Sequence, residues 1–205
     1  MKKISLIKPL LEVIEPVIIV GNSSSILNEK RGKEIDNFNT VIRFNDFKTE
    51  NFIEYTGSKT SLNFISNSYF NFYDLSNQNF KIIIVDNSYR ISEKEIIDKN
   101  YFKCDDYSST ILRYKYGPFV NFLRTSDSKG TWLNLLYPKN ITLGLLVTLI
   151  MVENSIKPTL YGIDFNHNRD SHYYKNTKNH NQGHSYFYEK KILSRLKKQD
   201  KINYL

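Results

Sequence analysis

The sequence predicts one α/β domain built on an open, mainly parallel sheet with helices on both faces. Three observations lead there: short β-branched runs recur along the chain, polar or glycine-bearing turns follow their carboxyl ends, and helix-length stretches separate several of them. At 205 residues, 40% hydrophobic and 14% aromatic, the chain can bury a core of its own, and its length fits a single domain over 1–205.

Val17-Ile18-Ile19-Val20, between Pro16 and Gly21, reads as a buried strand of a parallel sheet. Ile26 to Ile35 is read as a short helix. Thr40-Val41-Ile42-Arg43-Phe44 alternates into a second strand ending at Asn45, and Leu62-Asn63-Phe64-Ile65 is a third. Lys81 to Val85 is another β-branched run, ending in Asp86-Asn87-Ser88. Ile141 to Glu153 is apolar enough for a buried helix leading to Thr159-Leu160-Tyr161-Gly162. In such a sheet the ligand crevice lies at the carboxyl ends of the strands. Asn166 to Gly183 lacks hydrophobic periodicity and is dense in Asn, His and Lys, which predicts a mobile loop over that crevice at 166–183.

Composition narrows the setting. The apolar stretches are shorter than the roughly 20 residues of a spanning helix. Lys2 and Lys3 precede an apolar stretch, but Lys8, Glu12 and Glu15 interrupt it and no small-residue cleavage site follows, so no secretory signal is expected. A single cysteine, Cys104, predicts a reducing compartment, with the cytoplasm as the default. The net charge of +8 suits nucleic acid, an anionic membrane or an anionic small substrate alike. Lys190, Lys191, Arg195, Lys197, Lys198 and Lys201 crowd a basic C-terminal helix expected over 186–205, with Ile192, Leu193 and Leu196 as its apolar stripe. That pattern reads either as a solvated helix face or as a peripheral contact with anionic lipid at the inner membrane.

Chemistry concentrates in two places. The Gly21-Asn22-Ser23-Ser24-Ser25 turn follows a strand directly, where glycine permits close backbone approach and amides offer donors to a nucleotide-type ligand. It carries neither a G-x-G-x-x-G dinucleotide fingerprint nor a P-loop. The competing reading is a simple strand-to-helix turn with an N-cap serine. His172, His180 and His184 lie close together, with His167 upstream. A zinc site needs fixed geometry on rigid elements, whereas loop histidines with pKa values near neutrality suit acid/base work.

Val20-Gly21-Asn22-Ser23 followed by Val41-Ile42-Arg43-Phe44-Asn45 resembles the large motif of the sialyltransferases. Thr142-Leu143-Gly144 with Leu160-Tyr161-Gly162-Ile163-Asp164-Phe165 resembles their small motif. His172-Tyr173-Tyr174 resembles the third, and the His184 to Glu189 spacing the very small one; Gly183-His184-Ser185 also resembles the G-H-S of bacterial sialyltransferases. The matches run in order from Val17 to about Glu189. Leu143 stands where the family commonly has a second hydroxyl residue, the cysteine pair of the animal enzymes is absent, and there is little room for an acceptor-binding insertion.

The resemblance implies a Rossmann-like sheet, a sialyltransferase-type variant of the GT-A glycosyltransferase fold. It implies an inverting transferase that moves an acidic sugar, sialic acid first, from a CMP-activated donor to an oligosaccharide or lipid-linked glycan acceptor. No cofactor and no metal are expected, because a departing CMP needs only hydrogen-bond donors and no D-x-D motif is present. His184 is the expected general base, with Glu189 or a nearby backbone carbonyl orienting its ring, and His172 the group facing the donor phosphate. Gly21, Asn22, Ser23, Asn45, Thr142 and Gly144 are expected to hold CMP. Arg43 is expected as a donor contact or a salt bridge. CMP-Kdo is the near alternative donor. A non-catalytic module binding nucleic acid or anionic lipid is the reading from a different class, although no RNA-binding motif is present and no nucleic acid is expected.

Overall fold

The computed structural model describes residues 13–66, 80–86, 109–113, 142–164, 172–174 and 186–205. Its centre is a seven-stranded sheet. The strands are β1 (Val17–Val20), β2 (Thr40–Phe44), β3 (Leu62–Ser66), β4 (Lys81–Asp86), β5 (Ser109–Arg113), β6 (Thr159–Tyr161) and β7 (Asn203–Tyr204). They lie in the order β5-β4-β3-β2-β1-β6-β7, and every pairing is parallel. The chain steps outward from β1 to β5 in one direction, then returns to place β6 on the other side of β1. The order therefore reverses at β1, which puts a ligand crevice outside the carboxyl ends of β1 and its two neighbours.

Period-two alternation in β1 feeds two cores. Val17 and Ile19 pack with Ile42, Phe44, Leu62, Phe64 and Leu160 on one face. That face is covered by α3 (Leu143–Glu153) and α4 (Tyr186–Lys198), through Leu145, Leu146, Leu149, Ile150, Ile192, Leu193 and Leu196. Ile18 and Val20 pack on the opposite face with Ile26, Ile35, Val41 and Tyr173. This second layer is made by a 3-10 turn (Ser24–Asn28), α1 (Gly32–Asp36) and the Phe52 and Tyr55 side chains around α2 (Ile53–Thr56). The expected two-faced α/β architecture is thus present.

Three sequence expectations need correction. Ile26 to Ile35 is not one helix but a 3-10 turn followed by α1. One continuous α-helix would put Ile26 and Ile35, nine positions apart, on opposite faces. Breaking the helix buries both in the same core, and each such burial contributes roughly 1.5–3 kcal/mol. The basic C-terminal helix stops at Lys198 rather than running to 205. Asp200 takes a left-handed φ of 58°, Lys201 N–H donates back to Leu196 O at 2.9 Å and Asp200 N–H to Lys197 O at 3.0 Å. This Schellman closure turns the chain into β7 and buries Ile202. The apolar stripe of α4 is likewise committed: Ile192, Leu193 and Leu196 are buried against the sheet, so they are not available to enter lipid. Lys190, Lys197, Lys198 and Lys201 are exposed.

The third correction concerns Arg43, whose guanidinium is buried and whose hydrogen bonds go to uncharged oxygens. Its Nη2 donates to Thr56 O at 2.7 Å, Lys59 O at 2.9 Å and Gly57 O at 3.3 Å, and its Nε to Thr60 Oγ1 at 3.0 Å. The guanidinium also sits 5.3 Å from the Phe47 ring centroid. It closes the C-terminus of α2, where free carbonyls collect. Burial lowers its pKa to about 10. Asp36 supports the same loop by accepting from the Ser58 and Lys59 backbone N–H groups.

Candidate active site

The first turn is built by close approach of two backbones. Gly21 N–H donates to Tyr161 O at 2.8 Å and Ser23 N–H to Gly162 O at 3.1 Å, laying the turn along the end of β6. A Cβ on Gly21 would stand 2.2 Å from Gly162 O, so only glycine fits. Ser23 caps the 3-10 turn by accepting from Ser25 N–H at 3.3 Å, and its own hydroxyl donates to Asp164 Oδ1 at 2.6 Å. The Ser23 hydroxyl thus joins the ends of β1 and β6, and the serine is an N-cap as well as a pocket candidate.

Asn22 is held from two sides. Its Nδ2 donates to Phe44 O at 3.2 Å, and its own carbonyl accepts from Tyr173 N–H at 3.1 Å. Its Oδ1 is buried and has no hydrogen-bond partner among the described residues. Such an acceptor carries an uncompensated desolvation penalty of about 1–3 kcal/mol until a donor arrives. Asn45 follows Phe44 directly with a left-handed φ of 51°, so the alternation of β2 ends before it. Asn45 N–H donates to Phe64 O at 2.9 Å, and its carbonyl accepts from Asn63 Nδ2 at 3.0 Å.

His172, Tyr173 and Tyr174 dock against both turns. The Tyr173 hydroxyl donates to Lys48 O and accepts from Lys48 N–H at 3.0 Å, and its ring meets Phe52 edge-on at 5.0 Å. Burial raises the Tyr173 pKa, with the Lys48 backbone and Arg43 acting in the opposite direction. Tyr174 donates to Asp46 Oδ1 at 2.8 Å, and His172 stacks on the Tyr174 ring at 5.4 Å. The two tyrosines that follow His172 therefore anchor its segment to the turns that carry Asn22 and Asn45.

Thr142 and Gly144 open α3. Thr142 is its N-cap, with Oγ1 accepting from Leu145 N–H at 3.2 Å. Its backbone N–H donates to Glu189 Oε1 at 2.8 Å and its hydroxyl to Glu189 Oε2 at 2.6 Å. Glu189 is fully buried. Gly144 faces the Ile163 side chain, which a Cβ would meet at an ordinary 3.5 Å.

The structure therefore gathers Gly21, Asn22, Ser23, Asn45 and His172 through direct contacts or chain adjacency, and joins Thr142 to Glu189. His184, and with it His167, His180, Gly183 and Ser185, lies outside the described residues, as does most of 166–183. Among the described residues no three His, Cys, Asp or Glu side chains gather to hold a metal, and no helix is long and apolar enough to cross a membrane. Sequence reasoning missed Asn63, Asp46 and the anchoring role of Tyr173. Asn63 had a signal: a lone amide within the apolar Leu62–Ile65 run, buried and aimed at Asn45 O.

Comparison with known proteins agrees with this geometry. A mammalian sialyltransferase solved with Gal-beta-1-3GalNAc-ortho-nitrophenol superposes with a TM-score of 0.64 at 18% identity, covering 97% of this chain and 77% of that one. The sialyltransferase CstII from Campylobacter jejuni, solved with cytidine-5'-monophosphate, gives 0.57 at 24% identity over 92% of this chain and 77% of its own. Over 50 residues, 24% of this chain, the sequence is 46% identical to the beta-1,6-galactosyltransferase GALT29A of Arabidopsis thaliana. Over 48 residues, 23% of this chain, it is 38% identical to the mouse beta-galactoside alpha-2,6-sialyltransferase 1. These stretches span only 13% and 12% of those two relatives. The sequence model of glycosyltransferase family 29 (sialyltransferase) matches residues 15–201, from before β1 to past the end of α4, and the chain belongs to that family.

Proposed function

We propose that this chain is an inverting, metal-independent glycosyltransferase that moves sialic acid from its CMP-activated form to a hydroxyl of an oligosaccharide or lipid-linked glycan. The observation that carries the reading is Asn22: a buried amide oxygen without a partner among the described residues, at the point where the strand order reverses. An orphan acceptor suits a ligand that brings O–H or N–H donors, and cytidine brings ribose hydroxyls and an exocyclic amine. Nearby, the Leu143 and Gly144 N–H groups are first-turn donors of α3, an 11-residue helix whose N-terminus favours a phosphate. CMP in the Campylobacter sialyltransferase supports the same ligand class.

In this reading the acceptor hydroxyl loses its proton to His184 as its oxygen attacks the anomeric carbon from the face opposite the phosphate. The bond from that carbon to the phosphate oxygen breaks, and CMP departs with the electron pair. Its charge grows from monoanion to dianion, met by the α3 amides and by the His172 imidazole.

Two donors compete with CMP-sialic acid. CMP-Kdo shares its leaving group and carboxylate. UDP-galactose is favoured by one observation, the 46% identical stretch in a beta-1,6-galactosyltransferase. Nucleotide release from CMP-sialic acid, CMP-Kdo and UDP-galactose, with a galactoside panel and with or without EDTA, decides between them. The expected result is CMP release from CMP-sialic acid, unchanged by EDTA and abolished in His184→Ala. UDP release alone overturns the CMP reading, and loss of turnover in EDTA overturns metal independence.

A further inference from the structure

Glu189 is a fully buried carboxylate on the first turn of α4, five residues after His184. Its placement is unusual for a group that only orients an imidazole. One oxygen takes the Thr142 N–H at 2.8 Å and the other takes the Thr142 hydroxyl at 2.6 Å. That same hydroxyl caps α3 through Leu145 N–H at 3.2 Å. A two-point grip on an N-cap residue fixes both the position and the rotamer of the cap. It therefore fixes the direction in which the next two amides, Leu143 and Gly144, project. The carboxylate also adds negative charge at the helix N-terminus, where it is favoured.

We propose that Glu189 is a positioning residue for the donor: it holds the first turn of α3 through Thr142, and by that route sets CMP affinity. This rests on the reading that α3 receives the CMP phosphate. It also ties the first turn of α4 to the first turn of α3 by a single buried contact. The arrangement makes a sharp distinction between two amide and carboxylate variants. Glutamine can still accept from Thr142 N–H and can donate to Thr142 Oγ1, so the grip survives. A carboxylate needed as an anion beside an imidazole does not survive that change.

The test measures CMP affinity by calorimetry, which needs no turnover, together with the pH profile of kcat/KM. The variants are Glu189→Gln, Glu189→Ala, Thr142→Val, Thr142→Ser and the double variant Thr142→Val/Glu189→Ala. Glu189→Ala and Thr142→Val are each expected to weaken CMP about tenfold, as for one or two lost buried hydrogen bonds. The double variant is expected to be no weaker than the poorer single one, because both act through one contact. Glu189→Gln and Thr142→Ser should stay within about twofold of the parent, with the acidic limb of the pH profile, where a general base titrates, unmoved. A shifted limb in Glu189→Gln with unchanged CMP affinity overturns the proposal in favour of His184 orientation. Additive losses in the double variant overturn it too. Where Glu189→Ala fails to fold, Thr142→Val carries the affinity arm alone, and unchanged CMP affinity in it is decisive against. Failure of the parent to bind CMP at all sinks the CMP reading itself, and this proposal with it.

Discussion

Gly21 and Gly162 meet across the ends of β1 and β6 so closely that a methyl on Gly21 would stand 2.2 Å from the Gly162 carbonyl oxygen. The approach aligns Gly21 N–H on Tyr161 O and Ser23 N–H on Gly162 O, and so aims Asn22. Gly21→Ala must push the two strand ends apart, and overpacking against backbone costs about 1–3 kcal/mol or more. The expected outcome is a lower urea midpoint together with weaker CMP binding. An alanine variant as stable as the parent would show that the turn yields freely.

Asn22→Ala separates binding from folding. The substitution loses one hydrogen bond to Phe44 O but also removes an orphan acceptor, two effects of similar size and opposite sign. Stability should therefore change by less than about 1 kcal/mol, while CMP affinity falls about tenfold or more. Asn22→Asp should behave differently, since it sets a carboxylate against the Phe44 carbonyl and costs several kcal/mol. Equal CMP affinity in the parent and Asn22→Ala would remove Asn22 from the donor site.

Much of this site was legible because its residues sit at strand ends. Val17 to Val20 and Thr40 to Phe44 form strands with the boundaries their β-branched runs predict, and the polar turn after each is where Asn22 and Asn45 stand. What escaped was set by tertiary contact. Arg43 looked like a ligand contact or an ion pair because sequence shows a charge and not the carbonyls of Thr56, Gly57 and Lys59 that it meets. The strand β5 is a five-residue segment not singled out in the sequence, and it is defined by its parallel pairing with β4. The break between Ile26 and Ile35, and the turn at Asp200 that frees β7, likewise answer to burial and not to local periodicity.

Arg43 offers a test of structural against ligand roles. Burial lowers its pKa to about 10, so burying the charge is costly, and the carbonyl partners offset that cost. Lysine keeps the buried charge but cannot fork to several oxygens, whereas methionine removes the charge and leaves the carbonyls short of a donor. Arg43→Lys should therefore lose at least as much as Arg43→Met, with both near 3–5 kcal/mol or about that range in chemical denaturation. CMP affinity of the folded fraction should be unchanged in either. A selective loss of CMP binding, with stability intact, would return Arg43 to the donor pocket.

Tyr173→Phe tests whether the His172 segment is held by its neighbours. The hydroxyl lost from Tyr173 is both donor to Lys48 O and acceptor from Lys48 N–H, so the variant loses two part-buried hydrogen bonds at a cost of about 1–2 kcal/mol. The pH dependence carries an independent signature. Burial raises the Tyr173 pKa above its usual 10.0, so above that pH the folded chain keeps a proton that the unfolded chain has released. The native state then binds more protons than the unfolded one, and stability must fall as pH rises through this range. Removing the phenol removes that contribution. Denaturation followed as pH rises above about 10 should show a shallower fall in Tyr173→Phe than in the parent. At neutral pH the same variant should bind CMP more weakly, because Tyr173 N–H rests on Asn22 O and a loosened segment no longer fixes that turn. An unchanged alkaline slope would mean that the phenol is not held in its buried, protonated form. Unchanged CMP affinity would mean that the segment is placed by other contacts, such as Tyr174 on Asp46.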